Sequence, residues 1–276
     1  MSAPDDLSAL SRWIAAGVND LTQSLCMAGR QIDRVIDDHA ADHPHIVIAC
    51  FPKSASTFLA TFMAAATGFR SYLLNTSGYD NERNIDRLSI PMFLAQPTVS
   101  QEHMRATVPN VAILKRMSIR PVVLVRNIFD CIISSRDHAR SQSIVGPNAH
   151  VPHDFASWPI EAQDWFIVRM GVPWYLTFFA SWMDASNQLP VLWLTYESLI
   201  GDPVKSALAI ADHVGISLSA SVAERSLQSI DPLAIRLNTG VSGRGERELS
   251  PSQMNAVRET AGVYRGYYDL SMIGLK

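Results

Sequence analysis

The stretch HIVIACFPKSASTF, residues 45–58, decides the fold. Ile46, Val47, Ile48, Ala49 and Cys50 form a short apolar run, rich in β-branched residues and too short for a helix. Such a run reads as a strand buried on both faces, as in a parallel sheet. Phe51-Pro52 ends it, since proline cannot donate to a ladder and favours a turn. Lys53, Ser54, Ala55, Ser56 and Thr57 follow, and from Thr57 the apolar spacing Phe58, Leu59, Phe62, Met63, Ala66 is helical. A strand, a turn with a lysine and three hydroxyls, and a helix start together make an anion site. The first helical N–H groups lack internal partners, and the helix dipole favours negative charge there.

This loop lacks the two glycines of the GxxxxGK[ST] nucleotide loop, for no glycine occurs between Gly29 and Gly68. It resembles instead the 5′-phosphosulfate loop, close to PKSGTTW, of the sulfotransferases that use 3′-phosphoadenosine 5′-phosphosulfate. Pro52, Lys53, Ser54 and Thr57 match that pattern, while Ala55 stands for glycine, Ser56 for threonine and Phe58 for tryptophan. The resemblance implies that residues 52–58 bind the nucleotide and that Lys53 meets the charge developing on its leaving phosphate.

Three further blocks extend the resemblance, in order, over about residues 45–270. Pro121 to Val125 is a second buried-strand run, and it leads through Arg126-Asn127 into a helix. Arg126 thus falls at the carboxyl end of a strand, where open α/β sheets bind ligands. Ser134 lies about two helical turns further on. In the resembling family a block RNxxDxxxS binds the 3′-phosphate, and Arg126, Asn127, Asp130 and Ser134 match it. Arginine suits this role because its planar fork pairs with phosphate oxygens.

Upstream, Gln101-Glu102-His103 stands where the family carries its catalytic histidine, and Gln101 replaces a lysine. His103 is the candidate general base, since imidazole can take a hydroxyl proton near neutral pH. Glu102 is the reserve, as some relatives acting on carbohydrates use a glutamate. Downstream, a strand through Val191–Thr195 runs into Tyr196-Glu197, followed by Asp202-Pro203 and a helix ending near Gly215. The match to a YEDL block implies that Tyr196 contacts adenine and that Glu197 is structural. Last, RLNTGVSGRG, residues 236–245, resembles the RKGxxG loop that closes over the 3′-phosphate. Gly240 and Gly243 match its glycines. Asn238 and Thr239 replace its two basic residues, and Arg236, Arg244 or Arg247 could supply the missing charge.

The bulk composition agrees with one globular α/β unit. The chain has 276 residues, 47% apolar and 18% charged, enough for a sizeable core. A net charge of −3 argues against a general nucleic-acid binder. Lys53 is one of only four lysines among 23 basic residues. Cys26, Cys50 and Cys131 show no metal spacing and fit thiols in a reducing compartment. The first residues hold no apolar run of signal-peptide length, and no stretch approaches the length of a membrane span, so a cytoplasmic protein is expected.

Residues 6–37 carry helical spacing, with Gly17 and Gly29 leaving one helix or two open, and form a lead-in (residues 1–44) packed on the main domain (45–276). The acids and histidines between Asp37 and His45 follow no single helix face, and a solvated linker accounts for them better than a metal site. Residues 70–100 read as an irregular pocket wall, and residues 139–175, with their prolines and tryptophans, as an acceptor-facing lid. The expected fold is a single α/β domain, its central parallel sheet flanked by helices, with a P-loop-like strand–loop–helix. The expected activity is metal-free sulfuryl transfer from 3′-phosphoadenosine 5′-phosphosulfate to a hydroxyl of a lipid, glycolipid, sugar or small metabolite. The alternatives are a nucleotide-binding relative without turnover and a kinase-like phosphotransferase; a homodimer is left open.

Overall fold

The computed structural model describes residues 7–75, 84–141, 145–146, 149–231 and 242–275. In chain order the first part runs α1 (Leu7–His39), β1 (His45–Cys50), α2 (Ser56–Thr67), β2 (Arg70–Ser71), α3 (Ile90–Leu94), β3 (Thr98–Glu102), α4 (Val108–Arg116), β4 (Val122–Val125) and α5 (Ile128–Ser141). A small antiparallel pair follows, β5 (Val145–Gly146) and β6 (Ala149–His150). Next come α6 (Ile160–Met170), α7 (Val172–Ala185), β7 (Leu192–Thr195), α8 (Tyr196–Gly201) and α9 (Pro203–Val214). The chain closes with α10 (Ala220–Ser229), α11 (Arg244–Glu248) and α12 (Pro251–Gly262).

Five strands form one sheet in the order β2-β3-β1-β4-β7, and every neighbouring pair is parallel. The two-residue alternation of β1 divides the core. Ile46, Ile48 and Cys50 face one apolar cluster with Phe58, Leu59 and Phe62 of α2 and Ile210 of α9. Val47, Ala49 and Phe51 face the other, with Ile132 of α5 and Phe178, Phe179 and Trp182 of α7. β4 splits the same way, Val122 and Leu124 against Val123 and Val125. Both faces are covered, which is why these strands are continuous apolar runs.

β3 departs from that rule, and sequence periodicity misses it. Thr98, Val99, Ser100, Gln101 and Glu102 carry too many polar groups to read as a central strand. They pair in parallel with β1 from His45↔Thr98 to Ala49↔Glu102. Their polar atoms are satisfied in place: Thr98 Oγ1 lies 2.7 Å from His45 Nδ1, and Ser100 Oγ donates to Glu102 Oε1 at 2.7 Å.

α1 is a single helix through both Gly17 and Gly29. Tertiary contacts hold its second half, for Ile32 and Ile36 are buried in the core. Arg116 forks onto Asp37 with two 2.8 Å bonds and reaches Asp33, which Arg87 also meets. Such exposed pairs are screened by water and contribute little, so the buried isoleucines matter more. Among the described residues, no helix is long and apolar enough to cross a membrane.

Candidate functional site

Four parallel strands end on one edge, and each hands the chain to a residue singled out by sequence. β1 ends at Cys50 before the Phe51–Ala55 loop, and β3 ends at Glu102 before His103. β4 ends at Val125 before Arg126, and β7 ends at Thr195 before Tyr196. Across the edge the order is therefore His103, Lys53, Arg126, Tyr196. β1 lies between β3 and β4, and the chain leaves it first to one side and then to the other. That is the switch point at which open α/β sheets form a crevice.

The loop is built from two left-handed residues, Lys53 at φ 69° and Ala55 at φ 65°. Between them Ser54 is fully buried and donates to the carbonyl of Phe51 at 2.7 Å, which closes the turn. Ala55 is the N-cap of α2 and supplies no side-chain acceptor. The first-turn N–H groups of α2 are thus left for the loop concavity rather than for a cap. Ser56 accepts a 3.0 Å bond from Gln101 Nε2, so the residue replacing the family lysine touches the loop directly. Thr57 is exposed at the helix start, whereas Phe58 is buried and stacks on Phe62 in the core.

Two aromatic residues support this loop from below. Tyr175 of α7 is fully buried; its hydroxyl donates to the Pro52 carbonyl at 3.2 Å and lies 3.0 Å from Ser135 Oγ. Burial pushes the Tyr175 phenol well above its ordinary pKa, with the bond to Ser135 acting the other way. Phe51 packs edge-on against the same ring at 4.8 Å. Nothing local in the sequence marks Tyr175, whose hydroxyl reaches across 123 residues.

Arg126 is 7% exposed and held on three sides. Its Nη1 donates to the Lys53 carbonyl at 2.9 Å, and its Nη2 lies 3.6 Å from Asp130 Oδ2. Its guanidinium sits 4.0 Å from the centre of the Tyr196 ring. Tyr196 is the first residue of α8, whose start is fixed by a capping box between Thr195 and Ser198. Burial raises the Tyr196 pKa, opposed by Arg126. Ser134 lies buried two turns along α5 from Arg126.

His103 is half-buried at the end of β3. Its Nδ1 lies 3.0 Å from the carbonyl oxygen of Cys50 and 3.4 Å from the Cys50 thiol. A carbonyl can only accept, so in the neutral ring Nδ1 carries the hydrogen and Nε2 the lone pair. Glu102, its neighbour, points to the other face of β3. The buried Oε1 of Glu102 accepts from Leu74 N at 2.6 Å, Asn75 N at 3.4 Å and Ser100 Oγ at 2.7 Å.

At the C-terminal end, Gly243 is the left-handed N-cap of α11. Arg244 is engaged by carboxylates: Nη1 lies 2.9 Å from Asp137 Oδ2 and Nε donates to Glu248 Oε1 at 2.7 Å. Buried Arg136 joins the same group, reaching Glu248 at 2.8 Å, Asp137 at 2.8 Å and Asp164 at 3.2 Å. Burial works against the charge on Asp137 and Glu248, but Arg136 and Arg244 hold both carboxyls below the usual range. Asp164 is instead raised, its burial outweighing Arg136. Arg236, Asn238 and Gly240 lie outside the described residues.

In the histidine–acid linker before β1, His39 pairs with Asp42 at 2.8 Å. His45 turns inward, stacked on Phe93 with ring centres 4.3 Å apart. Among the described residues no His, Cys, Asp and Glu group could hold a metal ion.

Comparison with known proteins fits this geometry. The family model for the sulfotransferase domain matches residues 43–231. Mouse sulfotransferase SULT7A1, solved with PAP, superposes with a TM-score of 0.60 at 17% identity, covering 88% of this chain and 91% of that one. Retinol dehydratase, solved with retinol and PAP, gives a TM-score of 0.56 at 14% identity, covering 82% of each chain. Among curated protein sequences none matches.

Proposed function

Because the chain belongs to the sulfotransferase domain family, we propose that it transfers a sulfuryl group from 3′-phosphoadenosine 5′-phosphosulfate to an acceptor hydroxyl. The observation that carries this reading is the Arg126 cluster beside the phosphate loop. One guanidinium is fixed by the Lys53 carbonyl, Asp130 and the Tyr196 ring, and it stands at the carboxyl end of the strand next to β1. A second phosphate on the nucleotide is the natural partner for an arginine so oriented. The PAP in both structural neighbours supports the same donor.

In this reading Ser56, Thr57 and the first N–H groups of α2 hold the 5′-phosphate, while Pro52, Ser54 and Ala55 shape the turn. Arg126 and Ser134 hold the 3′-phosphate. Phe58 acts as core support for the loop, and Tyr196 as the platform under Arg126 beside the adenine. Gly243 sets the backbone turn, Arg244 anchors it, and Arg236, Asn238 and Gly240 join the nucleotide site by resemblance of sequence alone.

The transfer itself forms a bond from the acceptor oxygen to sulfur as the bond from sulfur to the 5′-phosphate oxygen breaks. His103 takes the hydroxyl proton on Nε2, with Nδ1 held by the Cys50 carbonyl. Lys53 balances the charge that collects on the departing phosphate. Glu102, with three donors on one oxygen, serves better as an anchor for residues 74–75 than as the base. The scheme needs no metal. The acceptor is a hydroxyl of a lipid, glycolipid, sugar or small metabolite, and the buried, unbridged thiols of Cys50 and Cys131 fit a cytoplasmic setting.

Calorimetric titration with 3′-phosphoadenosine 5′-phosphate, on wild type and Arg126→Ala together, tests the proposal. It expects binding by the wild type that is lost in the variant. A folded wild type that binds ATP but not this nucleotide would favour kinase-like chemistry and overturn the reading.

A further inference from the structure

Asp130 lies one turn beyond Arg126 on α5 and is 2% exposed. Its Oδ1 accepts the N–H of Gly245 at 2.8 Å, and its Oδ2 accepts the N–H of Gly243 at 2.8 Å. The Nη2 of Arg126 is 3.6 Å from that same Oδ2. One carboxylate therefore joins the arginine at the end of β4 to the backbone of the C-terminal turn, more than a hundred residues away in sequence.

The turn is shaped for that contact. Gly243 adopts φ +77°, a backbone state that side chains resist. A Cβ at Gly245 would stand 2.3 Å from the backbone carbonyl carbon of Phe129, so only glycine lets the turn come this close to α5. Further along α5, Asp137 and Arg136 grip Arg244 and Glu248 of the same turn. The side chain of Arg244 is thus engaged by carboxylates, and it is the N–H groups of residues 243 and 245 that Asp130 gathers beside Arg126.

We propose that Asp130 is a positioning residue for recognition of the nucleotide's 3′-phosphate. It holds the Arg126 guanidinium and the Gly243–Gly245 backbone in one fixed relation, so that arginine and turn are preset together. The inference rests on the reading of Arg126 as the 3′-phosphate ligand. It adds that the arginine's effectiveness depends on a carboxylate that need not touch the nucleotide.

The test compares dissociation constants for 3′-phosphoadenosine 5′-phosphate and adenosine 5′-monophosphate, whose ratio isolates the contribution of the 3′-phosphate. Asp130→Asn removes the charge and sets an amide N–H against a backbone N–H. Asp130→Glu keeps the charge but displaces the fork, and it serves if the first variant folds poorly. Losing charge-assisted bonds of this kind is expected to shrink the ratio about tenfold or more. Adenosine 5′-monophosphate should bind within about threefold of wild type. A ratio that survives in both folded variants would overturn the proposal. So would an equal loss for both nucleotides, since that is what general disorder of the turn produces. A wild type with no 3′-phosphate preference would instead remove the Arg126 reading on which the proposal stands.

Discussion

Ala55 occupies the position where the resembling loop carries glycine, and its backbone sits at φ 65°, ψ 26° as the N-cap of α2. A left-handed conformation costs an L-residue about 1–2 kcal/mol, and alanine is also a poor N-cap compared with glycine. Against this, glycine gives the unfolded chain more freedom, about 0.4–1 kcal/mol, and loses a half-buried methyl of similar small value. Ala55→Gly should therefore stabilise the protein by about 1 kcal/mol, which for a chain of this size raises Tm by roughly 2–4 °C. Ala55→Val, β-branched at positive φ, should cost about 2 kcal/mol or more. Urea unfolding of the three proteins, with unchanged m-values, reads both numbers. At an ordinary packed site the order would be reversed, valine tolerated and glycine harmful. That reversed order would refute the account of the loop's backbone.

Other expectations follow from single contacts. Burial, with His43 nearby, lowers the pKa of His45 from 6.5 to about 4, so the unfolded chain takes up its proton first as pH falls. Stability should drop by about 2 kcal/mol between pH 7 and pH 5 from this group, and His45→Gln should flatten the denaturation midpoint against pH by close to one proton. Tyr196→Phe keeps the ring under Arg126 and should leave binding of 3′-phosphoadenosine 5′-phosphate nearly unchanged in calorimetry, while Tyr196→Leu should weaken it by about twofold to thirtyfold. His103→Ala should lower kcat by about a hundredfold to ten-thousandfold with nucleotide affinity intact; an equal fall in affinity would argue against the base assignment.

The sheet and its loop were legible because the physics there is local. A fully buried parallel strand writes itself as an apolar run, and residues 46–50 and 121–125 are such runs. β3 was not legible, since Ser100 and Glu102 owe their place in a central strand to partners at Leu74 and Asn75 that no window around them contains. The start of α7 was also missed. Residues 139–175 read as an acceptor-facing lid, and Pro173 among them sits in the helix's first turn, where its missing N–H would have no partner. The same limit applied to the site. Residues at strand ends could be found from their positions, but the Tyr175 tether and the Arg136–Glu248 bond cross the whole fold. Arg244, a candidate for the phosphate by sequence, is seen to have carboxylate partners only once α5 and α11 are packed.

The most direct test is transfer of radiolabelled sulfate from 3′-phosphoadenosine 5′-phosphosulfate to a mixed panel of alcohols, sugars and lipids. Wild type should move the label to at least one hydroxyl acceptor and release 3′-phosphoadenosine 5′-phosphate, and Lys53→Ala and His103→Ala should each slow the transfer by about a hundredfold or more while remaining folded. Label that stays on a tightly bound donor across the panel, or transfer at near wild-type rate in those variants, would contradict the account.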